Sequence, residues 1–543
     1  MKNLLLLLGV TAAALTAQAQ NQYLITFKDK GPEAAYYRQH PEKVLSERAL
    51  ARRQKHNALL KEEDLPVSNT YLKQLQEKDI EIRQKSKWLN AAYIETSLDR
   101  NDLQKQFPAI KTIKVYGSKT EKPAPAKFPE VRTNQSNTRL SYGASAAQID
   151  QLNLDCMHDK GYQGKGILIT VIDTGFPGVN TNAAYDSLRL QNRILATRNF
   201  VSKPTTVYGS YSHGTFVFST MAANKPGVYV GAAAQATYAL ALTENMASET
   251  HQEELNWAAA AEWADSLGAD IIQSSLGYKF FDAGQGDYAD TDLDGDTPII
   301  TRAADKAAQK GMLVVSSAGN EGASKPPRSN RINPPCDGDS VLCVGSVTSA
   351  NQYSSFSSVG PTADNRIKPD VVARGTFTHH LSVAGGPAAS DGTSVAAPLI
   401  SSVAAALIQA NPGATNMQVL NAIKQSADKF SNPNNQFGWG LPDACKADSL
   451  LRNIMHVQKE KAARPVKVYP TVFKEQLTLE VPAGLHLLQA ELFTVTGQRV
   501  FFSYLEKADK MILHPGQNLP KGLYLLRLQD TAGKMLQYKV IKE

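Results

Sequence analysis

Between residues 145 and 452 the chain alternates two kinds of apolar segment, and nothing else in the sequence constrains the fold as much. Ile167-Leu-Ile-Thr-Val-Ile172, Ile271-Ile272 and Met312-Leu-Val-Val315 show almost no polar face. A strand with one face in water alternates apolar and polar residues, whereas a strand covered on both faces does not. Ala- and Leu-rich helical stretches stand between these runs and can supply the two covering layers. The expectation is an α/β domain with a parallel sheet covered by helices.

The flanks read differently. Residues 20–117 mix strand-like runs, such as Tyr23-Leu-Ile-Thr-Phe27, Ala91-Ala-Tyr-Ile-Glu95 and Ile113-Lys-Val-Tyr116, with charged helical stretches over 42–60 and 68–78. Ser68 is an N-cap candidate, and the segment reads as a small α+β module. A Pro-, Lys- and Ser-rich stretch, 118–144, has few core-forming residues and reads as an exposed linker. After a second linker at 453–466, short alternating strands with turn signals fill 467–543, the pattern of a small β-sandwich.

Length and composition fit a multidomain globular chain: 543 residues, 42% hydrophobic and 20% charged. The formal charge of +7 is unevenly placed. Residues 20–139 hold 23 Lys and Arg against 15 Asp and Glu, while everything after 139 sums to −2. The excess belongs to the N-terminal module, so no nucleic-acid partner is expected. Lys2, the apolar run Leu4–Leu15 and Ala17-Gln-Ala19 form a secretory signal over residues 1–19, too short to span a bilayer. The expected location is therefore outside the cytoplasm, secreted or at the cell surface. In that oxidising setting Cys336 and Cys343, seven apart, form a short-loop disulfide candidate. Cys156 and Cys445 can pair only where the two ends of the central domain meet, which the sequence leaves open.

Three residues carry the chemistry. Asp173 ends an apolar strand in Val171-Ile-Asp-Thr-Gly175. His213 stands in Ser-His-Gly-Thr215, ahead of a helical stretch. Ser394 stands in Asp391-Gly-Thr-Ser-Val-Ala-Ala-Pro398 and opens another helix. A serine hydroxyl is a weak nucleophile near neutral pH. It needs an imidazole to take its proton and a carboxylate to fix the imidazole tautomer. Each residue alone has a plain structural use: turn former, N-cap, core or surface histidine. The three motifs together point to nucleophilic catalysis.

Asp-Thr-Gly, His-Gly-Thr and Gly-Thr-Ser-x-Ala-Ala-Pro, in that chain order, resemble the subtilisin-type serine peptidases over about 300 residues. The resemblance implies a doubly wound, mostly parallel sheet and peptide-bond hydrolysis through Asp173, His213 and Ser394, with no cofactor required for the chemistry. Asn320, in Ser316-Ser-Ala-Gly-Asn-Glu-Gly322, resembles the family's oxyanion donor, with the Ser394 N–H as second donor. Ser275, Leu276 and Gly277 resemble the strand edge that binds an extended substrate, and Ala318 and Gly319 would line the opposite wall. No acidic residue is assignable to the pocket floor. Asp290, Asp292, Asp294 and Asp296 alternate around Gly295 like the start of a calcium loop, so a structural calcium is one expectation and a solvated acidic turn the other.

The flanks resemble known modules too. Leu45-Ser-Glu-Arg-Ala-Leu-Ala-Arg-Arg53, Asp64-Leu-Pro-Val67 and Ser86-Lys-Trp-Leu-Asn90 are similar to prosegments of secreted subtilisin-like peptidases from the Bacteroidetes, which implies an inhibitor and folding template removed on maturation. Val468-Tyr-Pro470, Thr496-Gly-Gln498, Gly522-Leu-Tyr524 and Lys539-Val-Ile-Lys-Glu543 resemble the sorting domain of type IX secretion, which implies that machinery as a partner. The reading is a serine endopeptidase acting on proteins or peptides, made as a proenzyme. Its rival is a catalytically inactive binding or adhesion protein on the same scaffold.

Overall fold

A computed structural model describes residues 21–116, 142–201, 206–209, 211–326, 329–463, 466–482, 484–516, 519–531 and 533–543. The signal at 1–19 and most of the first linker lie outside the described residues. Two compact units result, one ending at Asp448 and the other running from Ser449 to Glu543.

The first unit is organised by a seven-stranded sheet in which every pairing is parallel. In spatial order its strands are Val371–Arg374, Val341–Val347, Leu313–Ser317, Ile271–Ser274, Leu168–Asp173, Thr237–Leu242 and Ile194–Asn199. The apolar runs are buried at every position, as their missing alternation requires. The edge strand Ile194–Asn199 instead alternates half-buried and exposed residues, so its sequence carried no comparable signal. Chain order reverses at the first strand: the chain runs outward through 194–199, returns through 237–242, then continues on the other side from 271–274. A parallel doubly wound sheet opens a crevice at such a reversal, beyond the carboxyl ends of its strands.

Residues 21–116 fold as a four-stranded antiparallel sheet in the order Glu81–Ser86, Ala91–Thr96, Asn21–Phe27, Ile110–Tyr116. Ser68 caps helix Asn69–Gln76 through the Tyr71 N–H, as expected. The charged stretch over 42–60 condenses to helix Glu47–Lys55 after a short 3₁₀ turn, and the strand at 81–86 and helix Arg100–Gln106 were not anticipated. The module does not stand apart. It lies against helices His251–Leu267 and Ile299–Gln309, and its Trp88 joins the core of the central domain. Residues 142–144, assigned to the linker on composition, also belong to the packed unit: Tyr142 is buried with its hydroxyl 2.7 Å from His158 Nδ1.

Charges are buried where module and domain meet. Arg53 is held bidentately by Asp64 at 2.8 and 2.9 Å and reaches Asp265 at 2.6 Å, and Arg52 pairs with the same Asp265. Glu262 accepts from Ser86 Oγ and from the Lys87 and Trp88 N–H groups at 2.6–3.0 Å. Burial pushes the Glu262 carboxyl above its ordinary range.

Both cysteine pairs are bonded, Cys336 to Cys343 and Cys156 to Cys445. The second joins residues 289 apart and shows that the two ends of the central domain meet, which the sequence had left open. The second linker is helix rather than coil as far as Ala463, continuing from Ala444. In the C-terminal unit a three-stranded antiparallel sheet and a five-stranded sheet enclose a core containing Phe473, Leu477, Leu492, Leu526 and Val540, the sandwich anticipated.

Closing so long a loop restricts the unfolded chain strongly, and native disulfides contribute about 2–4 kcal/mol. Replacing Cys156 and Cys445 together by Ser is expected to lower the unfolding free energy by that order, measured by chemical unfolding of the full chain against a Cys336→Ser/Cys343→Ser control, whose smaller loop predicts a smaller loss.

Candidate active site

Asp173 is the last residue of the first strand, at the reversal point, and is fully buried. Its Oδ1 accepts from the Thr174 N–H at 2.7 Å and lies 2.8 Å from His213 Nδ1. His213 opens helix His213–Ala222. Gly214 makes the approach possible, because a Cβ there would lie 2.3 Å from the Gly175 carbonyl and 3.1 Å from Asp173 Cβ. With Nδ1 turned to the carboxylate, the ring is fixed in orientation and lines the cleft.

Ser394 is the second residue of helix Thr393–Ala410, so its backbone N–H is among those that a helix start leaves without an intrahelical partner. His213 and Ser394 line one cleft of about 200 Å³ together with Ser275, Leu276, Gly277, Gly319 and Asn320. Sequence-predicted residues from four separate segments therefore line one cleft, with Asp173 behind His213. Gly392 is required here: a Cβ on it would sit 2.8 Å from Ser394 Oγ and 3.7 Å from Asn320 Nδ2, in the space that these two groups face.

Asn320 is aimed by a residue that sequence reasoning missed. Its Oδ1 accepts from the Thr393 N–H at 2.9 Å and lies 3.0 Å from Thr393 Oγ1, which also accepts from the Gly319 N–H at 3.2 Å. With Oδ1 so engaged, the amide Nδ2 is left as the donor toward Gly392 and Ser394. Thr393 lies inside the Gly-Thr-Ser motif, so the signal was present but was credited only to its neighbour. Ser275 also does more than edge the cleft: its Oγ donates to the Ser394 carbonyl at 2.7 Å and accepts from Gln273 Nε2 at 2.9 Å.

Three expectations need correction. Ala318 does not face the cleft; it is fully buried with Ile332, Cys336 and Cys343, and Ser317 and Gly319 on either side form the wall. An acidic residue is present at that wall: Glu321, whose Oε2 accepts from Asn333 Nδ2 at 3.0 Å and Ser358 Oγ at 2.9 Å. The four aspartates of the calcium-like turn are not gathered into one ligand set. Asp290 pairs with Lys279 at 2.7 Å, Asp292 accepts from the Ala289 N–H, and Asp294 caps Asp296 and Thr297, while Asp296 is exposed. Among the described residues no group of three or more His, Cys, Asp or Glu side chains could hold a metal.

Comparison with known proteins agrees with this geometry. The subtilase family model matches residues 164–440, just over half of the chain, and the model of the Bacteroidota peptidase S8 propeptide domain matches residues 22–132. Subtilisin from Bacillus pumilus is 32% identical over 283 residues, covering 51% of this chain and 90% of the relative. Subtilisin NAT from Bacillus subtilis subsp. natto is 32% identical over 288 residues, covering 52% of this chain and 66% of the relative, just under two thirds of its length. A thermostable alkaline protease from Halalkalibacterium halodurans is 27% identical over 362 residues, covering 66% of this chain and 89% of the relative.

A further acidic group borders the cleft. Glu244 accepts from the Tyr278 hydroxyl and from Thr243 Oγ1, and burial, with Glu249 nearby, pushes its carboxyl up to about 8. The folded-state value is raised, so the stabilisation is complete below about pH 4.5 and is lost as pH rises toward 8. Glu244→Gln is expected to reduce the fall in Tm between pH 5 and 9, read by thermal unfolding across that range; an unchanged slope would show that Glu244 does not titrate there.

Proposed function

The chain belongs to the subtilase family, and from that premise we propose that it is an exported serine endopeptidase made as a proenzyme, with Ser394 as nucleophile. His213 takes the Ser394 proton as Oγ attacks the scissile carbonyl and returns it to the leaving amine; water then attacks the acyl-enzyme by the same route. Asp173 holds the imidazole tautomer and stabilises the imidazolium that forms. Asn320 Nδ2 and the Ser394 N–H serve the developing oxyanion. The observation that carries this reading is the convergence of the Asp173–His213 pair, Ser394 and an Asn320 amide oriented by Thr393 in one cleft. A retired binding scaffold would have no use for that orientation.

Residues 21–116 are proposed as the prosegment that covers the domain during folding, inhibits it and is then removed. Support comes from the propeptide match and from the buried ion pairs between module and domain. The N-terminal signal and the C-terminal sandwich are proposed as addresses, the first for export and the second for type IX secretion to the cell surface or medium. A bound calcium is not part of the proposal, since the carboxylates expected to hold it are engaged elsewhere.

Ser394→Ala should remove nearly all peptide hydrolysis, about 10⁶ in kcat, and abolish labelling by a fluorophosphonate. Asn320→Ala should cost about 10²–10³ in kcat with KM little changed. Wild-type-like hydrolysis by purified Ser394→Ala would refute the mechanism. For the sorting role, a chain ending near Lys459 should accumulate in the periplasm of a host with the type IX pathway while still hydrolysing peptide; recovery outside the cell equal to full length would refute it.

A further inference from the structure

His251, at the start of helix His251–Leu267, has both ring nitrogens committed. Nδ1 faces Glu254 Oε2 at 2.5 Å and Nε2 faces the Gly286 carbonyl at 3.1 Å. Glu254 is fully buried and further held by the Tyr288 hydroxyl at 3.1 Å and the Ile300 N–H at 3.2 Å. Only the faces of the imidazole remain for contact. Phe281 lies against it at 3.9 Å between centroids, 30° from parallel, and Tyr288 meets it edge-on at 5.4 Å.

The other ring against His251 comes from the N-terminal module. Tyr116, the last residue of strand Ile110–Tyr116, lies 4.3 Å from the His251 centroid at 40° and is 1% exposed, in a cluster with Leu255 and Ile299. When the module is removed this ring leaves, and a place of tyrosine size opens beside an imidazole whose edges are already satisfied. A polar group brought there would lose its hydrogen bonds to water and find no new ones, whereas an aromatic ring regains the stacking contact. The position adjoins the substrate path: Glu249 and Glu253, two residues to either side of His251, line the cleft that holds Ser394.

We propose that the mature enzyme has an aromatic-accepting exosite built from His251, Phe281, Tyr288, Leu255 and Ile299, vacated by Tyr116 and filled by a Phe side chain of an extended polypeptide substrate, upstream of the scissile bond, since the Tyr116 hydroxyl itself is buried without a hydrogen-bond partner. The inference rests on the peptidase reading and names a substrate preference for it. It gives the enzyme a reason to act on long chains in preference to short peptides, since a short peptide cannot reach both the nucleophile and the exosite.

The test uses processed enzyme released from the full chain. One substrate is a short peptide ending about four residues before the scissile bond. The others extend it with Ala and carry a single Phe at one of about five to twelve positions upstream, a reach of about 17–40 Å when extended. One spacing should raise kcat/KM about 3- to 10-fold over the all-Ala peptide, through KM. In His251→Ala and Phe281→Ala, each scored by its own ratio of long to short substrate, the gain should vanish. No gain at any spacing, with the short peptide hydrolysed, overturns the exosite and leaves the peptidase reading standing. A gain that survives in both variants places the aromatic elsewhere and also overturns it. No hydrolysis of any peptide overturns the peptidase reading, and the exosite with it.

Discussion

A carboxylate with no solvent exposure at the end of a central strand is the constraint around which the site is organised. Asp173 would be costly to bury alone, because an ionised group in a low-dielectric interior loses its hydration. The fold compensates with two groups at once, the Thr174 N–H and His213 Nδ1, both on the same oxygen. That requirement brings the helix bearing His213 against the strand end, and the glycine after the histidine is what lets it come so close. Orientation of the imidazole is therefore a consequence of pairing one oxygen of a buried carboxylate, whose Oδ2 is buried without a hydrogen-bond partner. The sheet reversal supplies the place, and the carboxylate sets the direction in which the chemistry faces.

The basic charge of the N-terminal region finds its explanation in the same currency. The sequence shows an excess of eight positive charges over residues 20–139 and near balance elsewhere. In the fold Arg52 and Arg53 are spent on Asp265, which is buried, and Arg48 on Asp270. Lys306 and Lys310 of the central domain point the other way, to Glu63. Arg48, Arg52 and Arg53 thus place part of the excess in pairs within the chain.

What was legible in the sequence followed unbroken apolar runs, since Val341–Val347, interrupted by Gly345 and Ser346, and Val371–Arg374 are buried at every position yet were not read as strands. Strands covered on both faces, at 168–173, 271–274 and 313–317, announce themselves by unbroken apolar runs, and Asp173, His213, Asn320 and Ser394 sit in short motifs beside such elements. The edge strand 194–199 did not, because an edge needs no apolar continuity. Side-chain direction was the other blind spot. Ala318 and Gly319 are adjacent in sequence, yet successive residues of an extended chain face opposite sides, so Ala318 is behind the wall that Gly319 forms. The aspartates at 290–296 have a ligand-like spacing, but spacing says nothing of competing partners, and Lys279 and the backbone of 296–297 took the carboxylates first. The Cys156–Cys445 bond needed the tertiary fold to bring its ends together.

The chemistry of the interface between module and domain bears on the proposal that the module templates the fold and then departs. A cover held by apolar area alone would leave a large hydrophobic surface in water once removed, which favours rebinding or aggregation. Here much of the contact is ionic or hydrogen-bonded: Asp265 with two arginines, Glu262 with three donors, Glu63 with two lysines. Buried pairs of this kind contribute little net stability, because desolvation offsets most of the attraction, but a wrong partner that leaves one charge unpaired is penalised by about 3–5 kcal/mol. The ion pairs make such an interface strict about register. Once the connection is cut, Asp265 and Glu262 regain hydration that an apolar face could not, while Leu255 and Ile299 lose the apolar cover of Tyr93 and Tyr116. The proposed docking during folding and release afterwards would then be two results of one choice of side chains.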